Sequence, residues 1–291
     1  MMTLIGWLIR KKGIIDGNAK GMLTEIVLDV ILPCNIIASF KTNIKLDVLG
    51  KFALLIVIAV LAQVICYIIC RFAYNSYDLR KSKVLRYATL VSNSGFLGLP
   101  MAEGTFGSLG LMYASIFIIP TRVIMWTAGL SQFTDNMDRR AAVKKVAVHP
   151  CMLGVYVGMF FMLTGLKLPS FIDDTITGIG RCTTPMTMLL IGSIIAEVED
   201  LTTMVTRDVV YFTLIRIVLI PGMIFMSCKL AGIDRVITGV SVLLAGMPAG
   251  STTAILASKY DGDYIFGTKL VVFSTIMSLL SVPVWCMLLS R

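Results

Sequence analysis

Residues 88–110 read ATLVSNSGFLGLPMAEGTFGSLG, apolar enough for a membrane span yet poorly suited to one regular helix. Gly95 and Gly98 weaken helical backbone, Asn93 and Ser94 bring polar side chains to membrane depth, and Pro100 lacks the N–H of an interior turn. In lipid, every freed backbone group is costly unless protein, water or a ligand satisfies it. A broken span therefore persists only with compensation, and a binding site is the usual return. Pro100 suits the first turn of a restarted half-helix, which would present free N–H groups and a positive dipole end near mid-membrane.

A second stretch follows the same plan. Residues 240–259 read VSVLLAGMPAGSTTAILASK, with Gly246, Met247 and Pro248 echoing Gly98, Leu99 and Pro100. Small and polar residues again follow the proline: Ala249, Gly250, Ser251, Thr252 and Thr253. Two interrupted spans in corresponding positions of two halves point to a secondary transporter built from inverted repeats. Two proline-kinked helices without a ligand are the plainer alternative.

Composition sets the class. Hydrophobic residues make up 57% and charged residues 15%, with mean hydropathy +0.86; soluble domains carry about a quarter charged residues. The expectation is an all-α integral protein of the cell (plasma or inner) membrane. A length of 291 residues leaves room for about ten spans of roughly 20 residues, and none for a separate soluble domain. The net charge of +9 is concentrated in particular loops, so it reads as topology and lipid contact rather than nucleic-acid binding.

Residues 1–9 are apolar but too short to cross a bilayer, and Arg10, Lys11 and Lys12 follow at once. This reads as the inner end of a truncated first span. It is not a signal peptide, because the charges follow the apolar segment. Later spans are expected near residues 23–40, 52–70, the broken fourth, and 109–130. After the polar segment 131–145 come 147–163, 176–196, 209–230, 236–258 and 266–289. The chain thus divides into a repeat over 1–131, a connecting loop over 132–146 and a second repeat over 147–291. Five spans per half is odd, so the halves must be inverted. Loops after spans one, three and five carry Arg10, Lys11, Lys12 and Lys20, then Arg71, Arg80, Lys81, Lys83 and Arg86, then Arg139, Arg140, Lys144 and Lys145. The intervening first-half loops offer Lys41, Lys45 and Lys51, so the first set, with the connecting loop, is expected to be cytoplasmic and both termini external. The loop at 197–208 is less decisive, mixing Glu197, Glu199 and Asp200 with Arg207.

The segment SNSGFLGLPMAEGTFGSLGLMYASIFIIP, the opening GWLIRKKG…ILP and the later LLAGMPAGSTTAILASKY resemble the auxin efflux carrier family, within the wider bile acid/arsenite/riboflavin transporter group. The likeness covers essentially the whole chain. It implies ten spans in two inverted five-helix repeats, a scaffold of spans one, two, six and seven, and a transport domain in which spans four and nine cross at their breaks. It also implies an organic-anion cargo, auxin in plants and malonate, malate or related carboxylates in bacteria. The short central loop resembles the bacterial members; the short first span departs from the pattern.

Ionisable groups inside spans are rare and suggest function. Arg122 can pair with a substrate carboxylate or with a protein acid such as Glu103. Arg216 and Arg181 are similar but less central. Asp29 reads as a cation or proton ligand or a structural hydrogen-bonding group, and Glu103 as a carboxylate at the restarted helix N-terminus. Chemistry is disfavoured. His149 before Pro150 reads as a helix cap, the seven cysteines are scattered through apolar spans, and neither a metal set nor a phosphate loop appears. Gly154 and Gly158 allow close helix packing, either within the monomer or at a homodimer seam. The candidate anion site comprises Asn93, Ser94, Gly95, Gly98, Pro100 and Arg122 from the first half, with Pro248, Gly250, Ser251 and Thr252 from the second. No cofactor or metal is expected; a coupled proton or sodium ion and membrane lipid are the other partners. An anion sensor that binds without translocating is the alternative from another class.

Overall fold

The computed structural model describes residues 1–40, 47–133, 139–196, 204–260 and 262–290. Lys41, Lys45, Glu197, Glu199 and Asp200, which entered the charge reading, lie outside the described residues. Among the described residues the chain is helical, without a β-strand. Six helical segments among the described residues are long and apolar enough to cross a membrane: Gly17–Ser39, Leu49–Ala73, Ser94–Gln132, Ser170–Ala196, Arg207–Leu230 and Tyr264–Leu289. Pro150–Thr164 and Arg235–Ala245 are shorter apolar helices. Large apolar side chains such as Val57 (63% exposed) and Leu280 (68% exposed) point outward, as a lipid-facing surface requires.

The chain begins with α1 (Met2–Lys11), then α2 (Gly17–Ile26) and α3 (Leu32–Ser39), the last two joined by a π-turn at Val27–Ile31. After α4 (Asp47–Ala73), Asp78 caps α5 (Leu79–Leu90) by accepting from the Arg80 and Lys81 amides. Residues 91–93 leave the helix, and a π-turn at Ser94–Gly98 leads into α6 (Leu99–Ile124). Gly107, at φ 66° and ψ −158°, interrupts α6 and divides it into two helical parts at a kink. Unbroken, the 39 residues of Ser94–Gln132 would reach about 58 Å, roughly twice the hydrocarbon thickness. The second half contains α7 (Arg139–Ala147), α8 (Pro150–Thr164), α9 (Ser170–Arg181), α10 (Thr183–Ala196), α11 (Arg207–Leu214) and α12 (Ile220–Leu230). It closes with α13 (Arg235–Ala245), α14 (Thr252–Lys259) and α15 (Tyr264–Ser290).

Three prolines share one device. Pro33, Pro100 and Pro221 each lie two residues past a π-turn, at Val27–Ile31, Ser94–Gly98 and Ile215–Leu219. A proline ring clashes with the carbonyl four residues earlier and offers it no donor; widening the preceding turn relieves both problems without ending the helix.

The helices pack in two groups. In one, α1 lies along α10, and α3 packs on α8 and α9. The α1–α10 crossing is backbone to backbone: a methyl added at Gly6 would overlap the Leu189 carbonyl, and one at Gly192 the Thr3 carbonyl. Gly154 meets Pro33, and Gly158 meets the Phe40 ring, so this glycine pair is used inside the monomer. In the other group, α4 and α13 pack on α6, α12 on α13, and α14 on α15. The groups meet where α3 touches α6, and there Asn35 Nδ2 donates to Glu103 Oε2 at 2.8 Å.

Candidate anion site at the crossed helix breaks

Two helices end inside the protein and meet there. Val91 at the end of α5 is extended, α13 stops at Ala245, and the two links pair antiparallel at Ser92 and Ala249. The Asn93 amide donates to the Pro248 carbonyl at 2.8 Å, and the Gly250 amide to the Val91 carbonyl at 3.0 Å. The Ala249 amide donates to Ser274 Oγ of α15 at 3.2 Å. Each break thus satisfies much of the backbone that the other frees, which is what makes irregular chain tolerable at membrane depth.

The pairing corrects the register inferred from the prolines. The first break lies at residues 91–93 and the helix restarts at Ser94, before Pro100; Pro248 lies in the second link itself, before α14 begins at Thr252. The two prolines therefore occupy different parts of their breaks. Pro100 is accommodated by the π-turn before it, whereas Pro248 supplies a carbonyl to the bridge.

The two sides of the crossing are electrostatically distinct. On one side the incoming helices α5 and α13 end, leaving unpaired carbonyls and a partial negative charge of about −0.5 each. Arg216, only 3% exposed, serves them: Nε donates to the Met247 carbonyl at 2.9 Å and Nη1 to the Thr89 carbonyl at 3.1 Å, with Cys66 Sγ at 3.6 Å. A buried guanidinium, which would be costly alone, is held here by two helix C-termini.

On the other side the outgoing helices begin. The first amide of the restarted helix to bond within it is that of Leu97, which donates to the Asn93 carbonyl at 3.0 Å, so the amides before it present an N-terminus. Beside it lies a cavity of about 90 Å³, lined by Asn93, Ser94, Gly95, Thr121, Arg122 and the segment Gly250, Ser251, Thr252. That volume holds several waters or one small anionic group. The Arg122 guanidinium packs directly over Gly95, where a methyl would overlap Nη2. The Tyr87 hydroxyl donates to Thr252 Oγ1 at 3.0 Å, leaving the threonine proton free to donate elsewhere. Leu28, from the π-turn between α2 and α3, lines one wall, so both helix groups contribute to the cavity.

Arg122 does not pair with Glu103. Its Nη1 lies 3.2 Å from His149 Nε2, and Glu103 instead accepts from Asn35. A guanidinium only donates, so His149 must offer a lone pair at Nε2. His149 also caps α8 through Nδ1, which accepts from the Cys151 amide at 3.2 Å. A neutral imidazole has one lone pair for these two donors, so one bond is always compromised. Arg122 thus shares the His149 lone pair with the Cys151 amide and has no carboxylate partner among the described residues.

Seven of the ten expected site residues come together at this cavity: Asn93, Ser94, Gly95, Arg122, Gly250, Ser251 and Thr252. Three do not line it. Gly98 packs against Met247 and Leu244, Pro100 is buried in α6, and Pro248 belongs to the bridge. Sequence reasoning missed Thr121, the Tyr87 contact and the approach of His149 to Arg122. Only Thr121, beside Arg122, had a local signal. Arg181 and Asp29 are exposed and away from the cavity lining.

A sequence profile described as membrane transport protein matches residues 1–145 and 138–286. The chain is 28% identical to an uncharacterized transporter of Methanothermobacter thermautotrophicus, over 99% of this chain and 95% of that protein. It is 24% identical to an uncharacterized transporter of Methanocaldococcus jannaschii (98% and 94% covered) and 19% identical to one of Escherichia coli K12 (98% and 93% covered). With both halves matched and the chain helical and apolar, it belongs to the membrane transport protein family and is a multi-pass membrane protein.

Proposed function

We propose that this protein is a secondary transporter that moves a small organic anion, a carboxylate of the auxin or malonate/malate kind, by alternating access. One observation carries the reading. Two interrupted helices cross inside the protein, and the N-terminus that begins at Ser94, the start of α14 and Arg122 face one cavity that no carboxylate lines among the described residues. Helix N-termini and an arginine favour negative charge, and a planar guanidinium suits a carboxylate. The antiparallel pair Ser92–Ala249 supports a finer reading, in which a two-fold axis through this pair relates two inverted five-helix repeats. The group containing α1, α3, α8, α9 and α10 would then be the scaffold, and the group carrying both breaks the moving unit. The cavity wall formed by Leu28 is where the two would separate.

The test is a thermal-shift screen of small carboxylates, with and without sodium and at two pH values, on the purified protein and on Arg122→Gln. A dicarboxylate such as malonate should raise the melting temperature of the wild type but not of the variant. A dependence on sodium or protons would name the coupling ion. Stabilisation by carboxylates that survives in Arg122→Gln would place the anion elsewhere.

A further inference from the structure

A second, larger hollow lies where α4 ends, and it shares no lining residue with the cavity at the crossing. A polar hollow of about 410 Å³ is lined by Tyr67, Arg71, Asn75, Arg86, Leu90 and Gln132. Next to it an almost wholly apolar hollow of about 470 Å³ runs between α4 and α6, past Val60, Val64, Ile119, Pro120, Val123 and Ile124. Tyr67 and Leu90 line both, so the two are continuous. We infer that together they form a site for one anionic phospholipid, its phosphate between Arg71 and Arg86 and one acyl chain in the apolar groove.

The charge suits an anion. Arg86 Nη2 donates to Asn75 Oδ1 at 3.2 Å, but its Nε is buried with no acceptor, and neither Arg86 nor Arg71 has a carboxylate partner among the described residues. Two guanidiniums at one hollow suit a phosphate diester. The length requires a lipid rather than a free ion. Val60 precedes Arg71 by eleven positions on one continuous helix, about 16 Å along its axis. That is about one leaflet of a hydrocarbon core of roughly 30 Å. The wall faces outward, with Val60, Val64 and Tyr67 between 47% and 52% exposed. Gln63, its polar member, turns inward and donates to Thr121 Oγ1 at 3.1 Å. Tyr67 sits at the joint, apolar toward the groove and polar toward the head, as tyrosines do at membrane interfaces.

Native mass spectrometry of the full-length protein, titrated with phosphatidylglycerol or phosphatidylcholine, tests this. Wild type should bind one phosphatidylglycerol at least tenfold more tightly than phosphatidylcholine. Arg71→Gln, an exposed change that leaves the fold intact, should cut that preference severalfold, and adding Arg86→Gln should abolish it with phosphatidylcholine binding unchanged. Val64→Trp, which fills the groove, should weaken both lipids alike, and inorganic phosphate at equal concentration should displace neither. Equal binding of the two lipids, or an intact preference in the double variant, overturns the inference. So does Val64→Trp behaving as wild type, or displacement by phosphate, either of which would reduce the feature to a pocket for small anions.

Discussion

Gly95→Ala separates the anion site from the fold. The added methyl would overlap Arg122 Nη2 and lie 3.3 Å from Cζ and 3.9 Å from Nε, so its nearest neighbours all belong to one guanidinium. The backbone at Gly95 is helical, in the π-turn Ser94–Gly98, so alanine is tolerated and should leave stability unchanged or raise it by up to about 1 kcal/mol. The guanidinium must shift away from Gly95, and so from its present place in the cavity lining. Losing one hydrogen bond between charged groups costs about 1.5–3 kcal/mol, or roughly 10- to 150-fold in affinity. Malonate binding by calorimetry, beside thermal melts of the same samples, reads both quantities. Arg122→Gln should cause a loss of the same order. If the methyl acts only through Arg122, the double variant should be no worse than Arg122→Gln alone. Malonate affinity within twofold of wild type in Gly95→Ala, or additive losses in the double variant, would refute the placement of the anion against Arg122.

Asn93→Ala should weaken malonate binding by about tenfold or more with an unchanged melting temperature, because its side chain lines the cavity while the bridge uses only its backbone. Arg216→Met should do the reverse: it leaves the Met247 and Thr89 carbonyls buried without a donor, at about 1–3 kcal/mol each, and should appear as a fall in melting temperature. Gly192→Ala should destabilise by about 1–3 kcal/mol or more, because the Thr3 backbone cannot yield as a flexible side chain would. For topology, Ser76→Cys and Lys167→Cys, both at exposed positions, should differ in cells carrying a protein without native cysteines. An impermeant thiol reagent should label Lys167→Cys and spare Ser76→Cys; the opposite pattern would overturn the charge-based orientation. Ser82 would be a poor reporter, being only 6% exposed with its hydroxyl bonded to the Tyr74 carbonyl.

The breaks were legible because glycine, asparagine and proline clustered at membrane depth are costly in a regular helix and useful in a broken one. Their register was not. A proline lacks its donor both in the first turns of a helix and in an extended link, so Pro100 and Pro248 looked equivalent although only Pro248 lies in a link. Seven of the ten expected residues reached the cavity because they flank the breaks locally. Arg216 could not be ranked from sequence, since its partners are backbone carbonyls 31 and 127 residues away and carry no side-chain signature. His149 was readable as the cap of α8, a local pattern, but not as the neighbour of Arg122, which depends on how α8 meets α6. The Gly6–Gly192 crossing was missed because a ten-residue first helix gave no apolar period long enough to reveal a packing face.

The central claim is translocation, and counterflow measures it directly. Proteoliposomes loaded with unlabelled malonate, or with whichever carboxylate the thermal screen selects, are diluted into trace labelled anion without any ion gradient. The account predicts transient accumulation of label above equilibrium in wild type and none in Arg122→Gln. Saturable binding of the same anion by wild type, with no exchange across the bilayer, would contradict it and identify a sensor in place of a carrier.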